Sequence, residues 1–160
     1  MVTFQIVIGL VTYLMASNSR LAIAVHTAEI IAFMGDTPAS SRMIAKSVGT
    51  NPVVIRRIIS SLARHGLVNV RLGTGGGSTL AGPPEKISLE DIYLALEEGE
   101  IFEVPILDES HACPIGRAVR PVLCDIFETA HSKLIEQLRE VTLADLMKTI
   151  KKRLPAEMLK

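Results

Sequence analysis

Cysteine is scarce in this chain: Cys113 and Cys124 are its only two. That is too few for a disulfide scaffold in 160 residues, and it suits a reducing cytoplasm, where thiols stay free. Metal-ligand spacing is missing as well. The four histidines (His26, His65, His111 and His131) are scattered, so each reads as a surface or packing residue. No Ser/His/Asp arrangement and no paired carboxylates are legible, which argues against an enzyme and leaves no catalytic or metal-binding residue to nominate. Nor is there a run of about twenty apolar residues, the length a membrane-spanning helix needs. The first fourteen residues, MVTFQIVIGLVTYL, are uncharged and mostly apolar. They are short for a span, and no basic segment precedes them as in a secretory signal. The expectation is a functional start at Met15, with 1–14 an apolar extension foreign to the native protein. A membrane anchor is the alternative.

Net charge is also missing, but the zero total hides an asymmetry. Met1 to Gly82 carries seven Lys/Arg against two Asp/Glu, whereas Pro83 to Lys160 carries ten against fifteen. A basic half followed by an acidic half hints at nucleic-acid contact by the first.

What the chain does hold is helix signals in quick succession. Ser19 or Asn18 caps a helix from about Arg20 to Met34, with Leu21, Val25, Ala28 and Ile31/Ala32 at helical spacing. Ser40 or Ser41 starts a short helix through Val48, and Gly49 stops it. Asn51-Pro52 opens a third helix, since Asn is a favoured N-cap and Pro suits the first helical position. That helix runs to about His65 and is closed by Gly66. Its inward face is Ile55, Ile58, Ile59 and Leu62, and its outer face is Val53, Arg57, Ser60 and Arg64, with Arg56 beside it. Leu67 to Leu72 alternates and is rich in β-branched residues, as a strand is.

The stretch RLGTGGGST, Arg71 to Thr79, then puts four glycines into five positions. A phosphate-binding loop would lead from a strand into a helix, usually with Lys-Ser/Thr following. Here the glycines lead into Ser-Thr-Leu-Ala-Gly-Pro-Pro, so the context favours a β-hairpin whose backbone N–H groups approach a phosphate closely. Ser78-Thr79-Leu80 begins the return strand. Ser88 caps a further helix over Leu89 to Glu98, and Asp91 nearly completes a capping box. A loop rich in acids and Pro reaches Ser110. From Ile115 to about Val141 one long helix carries a stripe of Val119, Leu123, Ile126, Ala130, Leu134, Leu138 and Val141, with Pro121 near its beginning or kinking it. A shorter helix, Leu143 to Arg153, follows.

Two short helices, a turn, a polar-faced third helix and a glycine-tipped hairpin make a winged helix-turn-helix. The third helix is narrow enough to enter a major groove, N-terminal end first. Asn51, Val53, Val54, Arg56 and Arg57 are the candidates for base edges. Arg42, Arg64 and Arg71 are candidates for phosphates, and Ser41, Thr50 and the hairpin residues Thr74, Gly75 and Gly76 are further DNA-binding candidates. A module that binds protein through the same face is the alternative function. Arginines without an acid on that face favour DNA.

LAIAVHTAEIIAF, IAKSVGTNPVVIRRIISSLARHGLV and GTGGGSTLAGPPEKISLEDIYLALE, in that order, resemble the Rrf-two family of bacterial winged-helix transcription regulators, which includes iron–sulfur, nitric-oxide and cysteine-metabolism sensors. The resemblance runs from about Arg20 to Val141. It implies a mainly α fold with a small hairpin, and a cytoplasmic homodimer held by the long helix on an inverted-repeat operator, most simply as a repressor. The apolar stripe supports a dimer independently, although packing back on its own domain is the other use for such a stripe. Four segments follow: the extension 1–14, a DNA-binding domain 15–84, a connecting helix and acidic loop 85–110, and a dimerisation helix with C-terminal segment 111–160. The iron–sulfur members carry three closely spaced cysteines before the long helix. Here FEVPILDESHACPIGRAV holds Cys113 alone, and Cys124 follows at about 16 Å along a helix, so no cofactor is expected. Cys113 stands just before a helix N-terminus with His111 near it, and is either a candidate redox sensor or an inert loop cysteine. Ser78 stands where many relatives have an aromatic residue, which puts a minor-groove contact by this residue in doubt.

Overall fold

A computed structural model describes residues 19–96, 104 and 113–153. The apolar extension, the acidic loop apart from Val104, and His111 lie outside the described residues.

Helix α1 covers 19–34, and its buried stripe is Ala24, Thr27, Ala28 and Ile31. Small residues on this stripe let the neighbouring helices approach closely. α2 is Ser41–Val48: Ser40 accepts a hydrogen bond from the Met43 N–H as N-cap, and Gly49 ends the helix at φ 75°. α3 is Pro52–Arg64, with the Asn51 side chain accepting from the Val53 N–H and Pro52 in the first turn. Ile55, Ile58, Ile59 and Leu62 are buried, as their spacing requires. The helix ends one residue short of the expected His65, which serves as its C-cap.

β1 (Val68–Arg71) and β2 (Gly77–Leu80) pair antiparallel, with Val68 opposite Leu80 and Arg71 opposite Gly77. β1 is shorter than the run Leu67 to Leu72 because Leu72, 89% exposed, already enters the turn. Gly73 and Gly75 make that turn at φ 93° and 75°, values an L side chain adopts only with strain. A third, single-residue strand was not legible in the sequence. Ala39, between α1 and α2, bridges Ser78 of β2.

After a short 3₁₀ turn at Pro84–Lys86, α4 (Leu89–Ala95) starts in a complete capping box, Ser88 with Asp91. The helix ends at Ala95 with Leu96 as its C-cap, short of the expected Glu98, and residues 97–98 lie outside the described residues. α5 is Pro114–Arg139 and α6 is Leu143–Arg153. Val141, placed on the α5 stripe by periodicity, is not helical. Its carbonyl accepts from the Leu89 N–H at 2.9 Å, and the Leu143 N–H donates to the Ile87 carbonyl at 2.9 Å. These bonds stitch the α5–α6 turn to the start of α4 and outcompete one more helical turn. Thr142 and Asp145 then cap α6 reciprocally.

One core unites Ala24, Ala28 and Ile31 of α1, Ile44 of α2, Ile55, Ile58 and Leu62 of α3, Val68 of β1, Ile92 of α4 and Leu143 of α6. α5 contributes no buried residue to it. Its C-terminal half is held to α4 by Arg139, whose Nε and guanidinium NH₂ donate to the two Glu90 oxygens at 2.6 and 2.7 Å, and by Tyr93 Oη beside His131 Nε2 at 3.3 Å. Its N-terminal half leaves Ile115, Val119, Val122 and Ile126 exposed.

Candidate nucleic-acid interface

Burial of Ile55, Ile58 and Leu62 fixes the rotation of α3 about its axis. It therefore dictates that Val53, Val54, Arg56, Arg57, Ser60 and Arg64 face solvent. α3 spans about 20 Å at the standard rise, and α2 packs across it in the helix-turn-helix arrangement. Neither helix has an acid in its first turn to oppose the positive end of its peptide dipole.

Placement of the nominated residues divides them. Arg42, Asn51, Val53, Val54, Arg56, Arg57, Arg64, Arg71, Thr74 and Gly75 are exposed, while Ser41, Thr50 and Gly76 are half-buried. Asn51 spends its Oδ1 on the helix cap at 2.8 Å, leaving its amide N–H₂ as the group free to meet a base. Arg64 donates to Ser61 Oγ at 3.2 Å, which leans its guanidinium back along α3. A Cβ on Gly76 would stand 2.2 Å from the Arg71 carbonyl oxygen, so the hairpin itself requires glycine there. Ser78 is 2% exposed and faces the interior.

The charge on this surface has one sign. Between Thr37 and Pro84 the chain contains Arg42, Lys46, Arg56, Arg57, Arg64 and Arg71 and no Asp or Glu. The two acids of the first half, Glu29 and Asp36, lie before this segment. Such a surface attracts a polyanion at long range and offers Arg forks at short range.

Cys113 is exposed and is the N-cap residue of α5, with no side-chain cap bond, and Cys124 is half-buried within the helix. Among the described residues no three His, Cys, Asp or Glu side chains gather into a metal site. No helix among them is long and apolar enough to cross a membrane.

A recognition helix whose outer face is basic, a glycine-tipped wing beside it and a long C-terminal helix define a winged helix-turn-helix regulator of the DNA-binding type. The chain belongs to the Rrf2 family: the family model described as iron-dependent transcriptional regulator matches residues 17–149. YwnA of Bacillus subtilis, named among HTH-type transcriptional regulators, is 36% identical over 130 residues, covering 81% of this chain and 96% of its own length. A crystal structure described as that of a DNA-binding protein superposes with a TM-score of 0.65 at 35% identity, covering 81% of this chain and 99% of the other. That of a transcriptional regulator from Lactobacillus plantarum gives 0.72 at 26% identity, covering 83% and 90%.

The family's description names iron. Iron–sulfur clusters are held chiefly by several converging thiolates. Here the only two cysteines lie at the cap and in the third turn of one helix, about 16 Å apart along its axis at the standard rise.

Proposed function

We propose that the protein is a homodimeric, sequence-specific repressor of transcription. In this reading α3 enters the major groove with Asn51, Val53, Val54, Arg56 and Arg57 toward base edges. Arg42, Arg64 and Arg71, with Ser41, Thr50, Thr74, Gly75 and Gly76, meet the flanking phosphates. The observation that carries it is the basic, acid-free surface of the helix-turn-helix and wing.

Dimerisation runs through α5. Ile115, Val119, Val122 and Ile126 are exposed on its N-terminal half at 77, 44, 55 and 53%. Leu123, Leu134 and Leu138 are half-buried, and Ala130 is exposed. An apolar row of this length has more to bury than its own domain covers. A two-fold dimer sets two α3 helices on one side of the duplex, so the operator is an inverted repeat with half-sites about one helical turn, or a multiple, apart. Exposed Cys113 at the start of that helix is the residue through which thiol oxidation would alter the dimer, and no metal or cofactor takes part.

A protein-binding module is the second reading, favoured by the exposure of Val53 and Val54 on α3. Selection of bound fragments from a library of genomic duplexes, followed by footprinting, separates the two. Recovery of a protected inverted repeat supports the repressor; enrichment of no sequence leaves the protein-binding module.

A further inference from the structure

The contact between α1 and α6 holds a carboxyl group that no described residue hydrogen-bonds. α1 turns Leu21, Ala22, Val25, His26 and Glu29 toward Leu146 and Ile150 of α6, and a groove of about 500 Å³ lies between them. Its volume falls within the roughly 300–1,000 Å³ of small-molecule sites. Leu21, Ala22, Val25, Leu146 and Ile150 make it an apolar groove, with His26 and Glu29 as the only titratable residues among the described ones in its wall.

Glu29 is only 4% exposed, and among the described residues neither of its oxygens has a hydrogen-bond partner. A leucine would fill the same wall without desolvating a carboxyl, and leaving a buried polar group unpaired is costly. Packing therefore gives no reason for an acid here. Among the described residues the groove wall contains no Lys or Arg. Lys151 on α6 is engaged elsewhere, with its Nζ 5.5 Å from the centre of the Phe33 ring.

We propose that this groove binds a small organic cation with an apolar body, an alkyl or aryl amine. Its ammonium group pairs with Glu29, and its hydrocarbon lies against Leu21, Val25, Leu146 and Ile150. The choice of ligand follows from the wall. A neutral hydrophobe leaves both Glu29 oxygens unpaired, and an anion opposes them. An inorganic cation finds a single carboxylate where oxygen-ligated ions take about six to eight donors. An ammonium supplies the missing donors and the opposite charge together, in surroundings where a charge-assisted bond is strong. The other side of α1 supplies Ala24, Ala28 and Ile31 to the core shared with α2 and α3. A ligand wedged under α6 therefore bears on the helix against which the helix-turn-helix rests. This regulatory consequence depends on the DNA-binding reading; the binding does not.

The test is calorimetric titration of the full chain at pH 8 with n-hexylamine, n-hexanol and hexanoate, without DNA. The expected result is hexylamine binding at least tenfold more tightly than hexanol, with hexanoate not binding. Glu29→Gln keeps the size of the side chain and should reduce the amine to the level of the alcohol. The Glu29 carboxyl ¹³C resonance of the unmodified protein should move with the amine and not with the alcohol, which decides the matter even if the variant misfolds. Equal binding of amine and alcohol, no binding of either, or an amine preference that survives Glu29→Gln overturns the proposal. DNA affinity measured afterwards with and without hexylamine reports on the coupling alone.

Discussion

Ala39 and Ser78 exchange both of their backbone hydrogen bonds, each at 2.9 Å. Through this one residue pair the connection between α1 and α2 becomes the third strand of the wing. The hairpin is thereby tied by backbone to the α1–α2 connection, while Val68 packs it into the core shared with α3. Gly77 is what permits the approach, because a Cβ there would stand 2.7 Å from the Ala39 carbonyl oxygen.

Gly77→Ala is accordingly predicted to cost about 1–3 kcal/mol of stability, as forced overpacking does. It should also weaken DNA binding through the displaced wing. Gly82→Ala is the control: a Cβ there meets nothing within 4 Å and its φ is not positive, so its effect stays within about 0.5 kcal/mol. Chemical denaturation of the two variants checks this, and equal effects would refute the bridge as the anchor of the wing.

The two classes of arginine on the DNA surface should separate experimentally. Arg57→Ala removes a candidate base contact and should cost about 1–3 kcal/mol on the operator while relaxing preference at one base pair. Arg71→Ala should weaken all duplexes alike and lower the salt slope by about one counterion. Binding isotherms over a salt series on operator and scrambled duplexes distinguish them.

On α5, Val119→Glu together with Ile126→Glu places two charges on the exposed apolar row. The expected outcome in sedimentation velocity is a monomer with unchanged helical signal, since neither residue is buried within one chain. A variant that stays dimeric would move the interface elsewhere.

Glu29 predicts a pH dependence of stability. Burial pushes its carboxyl up to about 7 from an ordinary 4.5. The folded protein then holds a proton that the unfolded chain has lost, so stability falls as pH rises from about 4.5 to 7 and levels off above. Glu29→Leu should flatten this slope and raise stability at pH 8 by about 1–3 kcal/mol, the cost of an unpaired buried polar group. Thermal unfolding from pH 4 to pH 9 reads both effects. A slope of the opposite sign would mean that Glu29 is paired.

The helix-turn-helix was legible because its signals are local. Asn51-Pro52, Gly49 and the spacing of Ile55, Ile58 and Leu62 each act within a turn or two of their own position. The wing was legible from its glycines, though not why each is needed: Gly73 and Gly75 serve φ, whereas Gly77 serves a contact with Ala39, thirty-eight residues earlier. Long-range backbone pairings leave no period in a sequence. For that reason the Ala39 strand and the bonds that end α5 before Val141 could not be read from it. Glu29 sat unnoticed in the middle of an apolar helix. An acid among Leu21, Val25, Ala28 and Ile31 was the available signal, but its burial depends on α6, more than a hundred residues away.

Competition binding reads out sequence-specific DNA recognition by α3. The reduced protein is titrated onto duplex DNA from upstream of its own gene, with random duplex as competitor, across a salt series. Binding is expected to be at least a thousandfold tighter to one site than to random DNA, about the lower bound for specific regulators, with a steep loss of affinity with salt. Weak binding of equal strength to upstream and random duplexes, on protein that is folded and dimeric, would contradict it for that site. The same result across a genomic library would contradict it altogether.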